Sequence, residues 1–387
     1  MVLGYLSMAG SLSTDLYLPA FPDISTDLGV GASTVQLTLT ALLVGSAFGQ
    51  LFIGSISDAL GRRRTLIAGL SVFVLCCYLA AMSPTIEILI AVRAVQGFAG
   101  ASGAVLARAV VSDLLDRDRA VRAFSTLFVF IALGPGLASP MGALLTQFGG
   151  WRTALLGLAV LATGMLVCAV FVVPESLPPD RRHALRLGVL ARNIDRLTRS
   201  PIYVGYTIAY ASGYAALMVY ISSSSFLVQD VLGTTPFIYS LTFSFSALFI
   251  MSGSWLNGAL AHRLGAYRTL RVAQTLQFSA AAVGVLLVIT GALTMPTYLA
   301  VVVVFGLGCG AVMAGSSALA VGEARETAGA GSALVGFSQF AFGALASPLG
   351  GIAGTHTALP AMLAMTCFAA LGLTSAWLAQ ARSQRPG

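Results

Sequence analysis

The chain contains no lysine, so all 21 of its basic residues are arginine, and it has only 14 acidic residues in 387. Charged residues make up 9% of the sequence, against about 25% in an ordinary soluble domain. A soluble protein of this length could not cover its surface with so few charges, which excludes that class. The missing lysine reads as codon bias rather than as a functional device. Cysteine is scarce too. The five (Cys76, Cys77, Cys168, Cys309, Cys367) fall in apolar stretches without metal-ligand spacing, so neither disulfide nor metal site is expected. Only three histidines occur, His183, His262 and His356, and all fall in polar loops or at the ends of apolar stretches.

Apolar residues fill the space, at 57% of the chain. Runs of roughly 17 to 25 of them match the thickness of a bilayer. Spans are expected near Val2–Leu18, Val35–Ile56, Leu66–Met82, Ile86–Val110, Phe124–Leu145, Thr153–Val173, Tyr203–Leu227, Phe237–Leu260, Thr269–Leu293, Tyr298–Val321, Gly331–Ile352 and Leu359–Leu378. The expected fold is therefore an all-α membrane protein with twelve transmembrane helices in two sets of six. The bundles would cover residues 1–175 and 202–387, joined by a polar linker over 176–201. The hydrophilic stretch from Pro174 to Pro201 has partly helical character and carries no chemistry. No cleavable signal peptide is evident, and the start as written falls a few residues late for the first span.

Arginine sets the orientation. Eighteen of the 21 lie in alternate loops or in the C-terminal tail: Arg62 to Arg64, Arg117, Arg119, Arg122, Arg181, Arg182, Arg186, Arg192, Arg196, Arg199, Arg263, Arg268, Arg271, Arg325, Arg382 and Arg385. The positive-inside rule makes those segments and both termini cytoplasmic. The opposite loops carry Asp23, Asp27, Glu87, Asp230 and only Arg152. The net charge of +7 is then a fringe facing anionic headgroups, and no nucleic-acid partner is needed.

The two halves are related. Leu137-Ala138-Ser139-Pro140-Met141-Gly142-Ala143 returns 208 positions later as Leu345-Ala346-Ser347-Pro348-Leu349-Gly350-Gly351. At an offset of 204, Gly54, Asp58, Gly61 and Arg64 align with Gly258, His262, Gly265 and Arg268. Many membrane transporters are built from such duplicated apolar halves, with the path running between them.

Four polar features inside this apolar frame ask for explanation. Asp15, with Ser13 and Thr14 before it and Pro19 after it, sits in the outer part of the first span. A carboxyl there loads and releases a proton or other coupling cation, or merely caps a broken helix, or is already wet at the external mouth. Arg93 lies about seven residues, or roughly 10 Å, inside the fourth span. It either biases a nearby proton site or braces backbone carbonyls. Gly54 and Gly61 permit close approach and a tight turn around Asp58, Arg62, Arg63 and Arg64, where Asp58 can pair with Arg62. That cluster is a latch on the cytoplasmic side or simply a topological arginine cluster. The repeated Pro140-x-Gly142 and Pro348-x-Gly350 suit bends where the halves meet.

Cavity-lining residues are harder to find. Tyr203, Tyr206, Tyr210 and Tyr214 share one face of the seventh span. Tyr210 and Tyr214, with Tyr17, Phe337, Gln339 and Phe340, are candidates for binding amphiphiles, while an interfacial belt explains Tyr203 and Tyr206 equally well. Gly45 and Gly49 form a packing seam. Gly100-Ala101-Ser102-Gly103 mimics an intramembrane serine protease, but no histidine lies within a span to activate the serine, so the glycines are read as packing notches. No enzyme is expected.

Several of these motifs carry a family resemblance. Gly54 to Arg64 resembles the G-x-L-x-D-x-x-G-R-[KR] signature of the major facilitator superfamily, and Arg93-Ala94-Val95-Gln96-Gly97 matches its R-x-x-Q-G element. Ser-Pro-x-Gly resembles its antiporter motif, with Ala143 where a second glycine is usual. Asp15 to Pro22, Gln36-Leu37-Thr38-Leu39, Gly49-Gln50, Pro174 to Pro179, and Ala328-Gly329 with Ser332 are similar to the bicyclomycin-resistance (Bcr/CflA) drug-efflux group. The resemblance implies a monomeric antiporter of the cell membrane that exports amphiphilic drugs against protons. It implies no cofactor beyond the proton-motive force. A related exporter has a second acid in the first span, where this chain has Ser7. An exporter of an endogenous metabolite or amino acid is the alternative within transport; a non-transporting membrane receptor or intramembrane enzyme is the alternative outside it.

Overall fold

The computed structural model describes residues 1–115, 117–182, 187–324, 327–352 and 357–383; Arg186, Arg325, Arg385, His183 and His356 fall outside them. Every regular element among the described residues is helical. The chain divides into two compact units, one of Met1–Val30 and Leu37–Leu187, the other of Gly31–Gln36 and Gly188–Gly387. Among the described residues, ten helices are long and apolar enough to cross a membrane.

In the first unit the expected span Val2–Leu18 is broken. Helices α1 (Val2–Ser7) and α2 (Ala9–Asp15) meet at Met8, whose amide donates to the Tyr5 carbonyl in a tight turn. The helix then stops at Asp15, and Leu18–Ala20 forms a 3-10 turn around Pro19, which has no amide to give. Helix α3 (Phe21–Asp27) follows, then α4 (Ala32–Leu60), α5 (Arg62–Ala81) and α6 (Ile86–Leu114). The spans expected at Phe124–Leu145 and Thr153–Val173 belong to one helical run, α7 (Arg117–Val172). Its break is confined to Gly149 and Gly150, the latter at φ 73° where only glycine is comfortable. Pro135 and Pro140 are accommodated inside this helix.

Glycine explains how the helices approach one another. Lipid tails are as apolar as leucine, so helices in a bilayer associate mainly through close packing and hydrogen bonds. A Cβ on Gly45 would overlap the Ala94 carbonyl oxygen, and one on Gly97 the Leu42 carbonyl oxygen, so α4 and α6 touch backbone to backbone. Around them Leu6, Leu12, Leu70, Phe73, Leu106 and Leu158 form the core.

The second unit repeats the plan. It contains α8 (Leu187–Thr198), α9 (Pro201–Phe226), α10 (Pro236–Leu264), α11 (Ala266–Ile289), α12 (Met295–Glu323), α13 (Ala328–Ala346) and α14 (Leu359–Ser383). Gly253 and Gly310 bring α10 and α12 together as Gly45 and Gly97 do α4 and α6, against the carbonyls of Leu307 and Ile250. Gly265 joins α10 to α11 at φ 84°, ψ 149°; Gly61 joins α4 to α5 at φ 98°, ψ 149°. The sequence repeat is thus a repeat of backbone geometry. Helix α9 is buried from Ala211 to its end at Phe226 and packs on α12, α13 and α14. The expected span Gly331–Ile352 is not one continuous α-helix: α13 ends at Ala346, and Ser347–Gly351 tightens into a 3-10 turn at Pro348.

Candidate functional site

Asp15 is the last residue of α2 and is 3% exposed. Among the described residues, no side chain donates to its carboxyl. Its neighbours on either side are held by Arg93, which α6 buries completely. The Arg93 Nη2 donates to the Ser13 carbonyl at 2.9 Å, and its guanidinium carbon lies 3.7 Å from the centre of the Tyr17 ring. Nη1 donates to Gln96 Oε1 at 2.8 Å, and the Gln96 amide in turn reaches Cys77 Sγ at 3.0 Å. Among the described residues, no carboxylate pairs with this cation, and its Nε has no partner at all. A buried guanidinium held only by neutral dipoles keeps an unbalanced positive charge beside the α2 terminus.

Tyr17, expected on a cavity wall, is fully buried. Its hydroxyl lies 3.1 Å from Thr38 Oγ1, and its ring serves as the platform for Arg93. Gly142, expected as a hinge, allows α7 to meet the first span: a Cβ there would run into the Leu16 carbonyl oxygen, one residue past Asp15. Gly350 plays the matching part in the second unit, where a Cβ would lie 2.8 Å from Ser223 Cβ on α9. Both Ser-Pro-x-Gly segments therefore mark close helix contacts, onto backbone at Gly142 and onto the small side chains of Ser223 and Ala361 at Gly350. Pro140 stays inside a helix, whereas Pro348 begins the 3-10 turn after α13.

At the α4–α5 turn the expected pair is present, with Arg62 Nη1 2.6 Å from Asp58 Oδ1. Asp58 is half exposed at its side chain, and sequence reasoning missed two further acids of this turn. Arg62 Nε also pairs with Asp113 Oδ2 at 3.1 Å, and Ser176 Oγ donates to that same oxygen at 3.0 Å. The backbone amide of Arg62 donates to Glu175 Oε1 at 2.9 Å, so a remote carboxylate caps α5 where Gly61 has no side chain to do it. A Cβ on Gly61 would sit 2.5 Å from Glu175 Oε2, which requires glycine in addition to its positive φ. Arg182 completes the group at 3.5 Å from Glu175, and Arg63 donates to the carbonyls of Val170 and Val173 at 2.7 and 2.9 Å. The signal was partial: three adjacent arginines at a membrane edge call for acids, but nothing in the sequence pattern says that Glu175 and Asp113 are the ones that meet them.

In the second unit the tyrosine face of α9 meets α13. Tyr210 Oη donates to Gln339 Oε1 at 2.6 Å, and the Tyr214 and Phe340 rings meet edge to face at 5.6 Å. Phe337 lies half-buried on the same helix as Phe340. Tyr203 Oη donates to the Gly331 carbonyl at 2.8 Å, and Tyr206 stacks with Tyr267. Ser102, the serine of the protease-like motif, is buried and donates to the Ala99 carbonyl of its own helix. The glycines beside it fit Phe73 and the Leu6 carbonyl, and His262 sits exposed at the end of α10, so the motif is packing.

Duplicated helical units, internal glycine seams and a buried arginine in an apolar interior are the build of a multi-pass membrane protein. The Major Facilitator Superfamily model matches residues 3–348. The chain belongs to that superfamily and is a transporter rather than an enzyme. It is 33% identical over 96% of its length to an uncharacterized MFS-type transporter, YdgK, of Bacillus subtilis, covering 92% of that protein. It is 30% identical over 94% of its length to a bicyclomycin resistance protein homolog of Haemophilus influenzae, also covering 92%. Among solved structures, the D-xylose-proton symporter superposes with a TM-score of 0.77 at 14% identity, over 98% of this chain and 95% of that one. A bacterial homolog of the human lysosomal transporter Spinster gives 0.77 at 13% identity, over 100% and 96%. At that identity the structural likeness establishes the fold.

Proposed function

We propose that this protein is a proton-coupled antiporter of the Bcr/CflA group that exports small amphiphilic antibiotics by alternating access. The ten long apolar helices become twelve spans when α1 and α2 count as the first and α7 counts as two. At 1.5 Å per residue α7 would be about 84 Å long, far more than one ~30 Å hydrocarbon core can hold, and Gly149–Gly150 divides it. Residues 1–175 and 202–387 then form two six-helix bundles around a linker at 176–201. The protein lies in the cytoplasmic membrane as a monomer, with both termini inside. It draws on the proton-motive force and needs no bound cofactor.

The observation that carries this reading is the burial of Asp15. A carboxyl sealed from water in one conformation exchanges its proton only when the protein rearranges, which ties protonation to the conformational cycle. Arg93 orients the flanking residues and supplies the fixed positive charge that makes the protonation state matter to the site. The latch residues Gly54, Asp58, Gly61, Arg62 and Arg63 close the cytoplasmic side during the outward-facing part of the cycle. Pro140, Gly142, Pro348 and Gly350 are its hinges, and Tyr210, Tyr214, Phe337 and Phe340 contribute to the drug site. One charge moving across ~100 mV supplies about 2.3 kcal/mol, or roughly a fifty-fold gradient.

Purified protein in vesicles loaded with a pH-sensitive dye tests the proposal. Bicyclomycin or a phenicol should provoke proton movement that an uncoupler abolishes. Proton movement evoked by amino acids, but by no drug in a panel, would replace drug export with metabolite export.

A further inference from the structure

The second unit contains a cavity of about 410 Å³ between the ends of α9, α11 and α14. Its floor is buried and mostly apolar, made by Tyr206, Leu270 and Ala376, with Leu373 on the wall. Its rim is exposed: Trp377 and Tyr267 are 59% and 37% accessible, and Arg271 stands beside them. The Arg271 guanidinium is steered over the opening by Gln380, whose Oε1 accepts from Nη2 at 2.7 Å.

Charge singles this groove out. In the first unit, Arg62 and the α5 terminus are neutralised by Asp58, Asp113 and Glu175. At the repeat offset of 204 residues His262 replaces Asp58 and Ser317 replaces Asp113. Neither α11 nor α14 contains an aspartate or glutamate. The α11 terminus has no side-chain cap, and Arg268 is exposed one turn before Arg271. The groove thus presents the Arg271 guanidinium and an aromatic rim above an apolar trough, and neither helix offers a counter-ion.

We propose that this groove binds one anionic phospholipid, its phosphate on Arg271 and one acyl chain along Leu270, Leu373 and Ala376. In the orientation proposed above, the groove opens at the cytoplasmic leaflet, where anionic lipids are drawn to arginine. Trp377 and Tyr267 lie at the level where amphipathic rings settle between headgroup and chain. The lipid phosphate supplies to the second half the negative charge that three carboxylates supply to the first. Lipid recognition of this kind does not depend on what the protein transports.

Native mass spectrometry of the detergent-purified protein, titrated with phosphatidylglycerol or with phosphatidylcholine of the same chains, tests the assignment. The wild type should retain one phosphatidylglycerol with at least about five-fold preference, the effect of one arginine near a charged surface. Arg271→Gln should erase the preference. Leu373→Trp fills the trough and keeps every charge, so it should lower retention of the bound lipid. Arg268→Gln, outside the groove, should leave retention nearly unchanged. Equal retention of both lipids by the wild type would overturn the proposal, as would wild-type behaviour of both groove variants. Displacement of the lipid by millimolar inorganic phosphate would assign the site to a free anion instead. Because lipid retention is measured without transport, its failure is distinguishable from failure of the drug-export reading.

Discussion

Arg93 rests on the ring of Tyr17, its guanidinium carbon 3.7 Å from the ring centre, while the same group holds the Ser13 carbonyl two residues before Asp15. The ring and the carbonyl bracket the carboxyl on one short segment, so a residue of the fourth span fixes where that acid of the first span lies. Tyr17→Phe keeps the ring and gives up only the bond to Thr38, and should cost about 1 kcal/mol of stability. Tyr17→Leu removes a desolvated cation–π contact worth about 2 kcal/mol. Thermal unfolding in detergent should rank them in that order. Arg93→Gln separates bracing from coupling: a brace lowers stability alone, whereas a coupling partner also changes the pH dependence of drug-driven proton movement.

Contact between α7 and the first span depends on one missing methyl group. Gly142→Ala would press a Cβ into the Leu16 carbonyl and should destabilise the protein by about 1–3 kcal/mol, the usual range for overpacking. Gly136→Ala, on the same helix with open space around it, should be neutral or gain up to about 1 kcal/mol from helix propensity. Opposite signs from two identical substitutions six residues apart would be measured by parallel melting curves.

The turn between α4 and α5 should depend more on Glu175 and Asp113 than on Asp58. Asp58 is 50% exposed at its side chain, so its pair with Arg62 is screened, whereas Asp113 is 23% exposed and Glu175 caps a helix terminus. Glu175→Ala should cost about 1 kcal/mol. Labelling of single cysteines on either side of the membrane should show Glu175→Ala and Asp113→Asn shifting the balance of facing states, with Asp58→Asn shifting it less.

At the far end of the first unit, Asp27 accepts from Arg152 at 2.6 Å and from Trp151 Nε1 at 2.9 Å, and these bonds hold its carboxyl below the usual carboxylate range. A depressed folded-state value means the contribution is complete above the unfolded value near 3.9 and fades as pH falls through the folded one. The stability difference between wild type and Asp27→Asn should therefore be flat from about pH 5 to 8 and vanish only on strong acidification. High salt should reduce it, since both side chains of the pair are partly exposed.

The repeat was legible because duplication preserves local backbone geometry. Gly61 and Gly265 adopt the same turn, and Gly49 and Gly253, 204 residues apart, both lie in helix seams. The long apolar runs were legible for the same reason: each is a local property of about twenty residues. The long-range partners were not. Glu175 and Asp113 lie 113 and 51 residues from Arg62, and hydropathy carries no record of which acid meets which arginine. Tyr17 was a cavity candidate because tyrosine beside a membrane acid has two uses, and its place under Arg93 is a long-range contact that hydropathy does not record. The early end of the first helix at Asp15 was half legible: Pro19 announced a break, but the 3-10 turn placed it several residues sooner.

Drug-driven proton movement in vesicles containing Asp15→Asn is the most direct test of the coupling assignment. Asparagine keeps the size of the side chain and removes its titration, so drug should still bind with near wild-type affinity while drug-evoked proton movement disappears. Proton movement of wild-type magnitude in that variant would place the coupling group elsewhere in the chain.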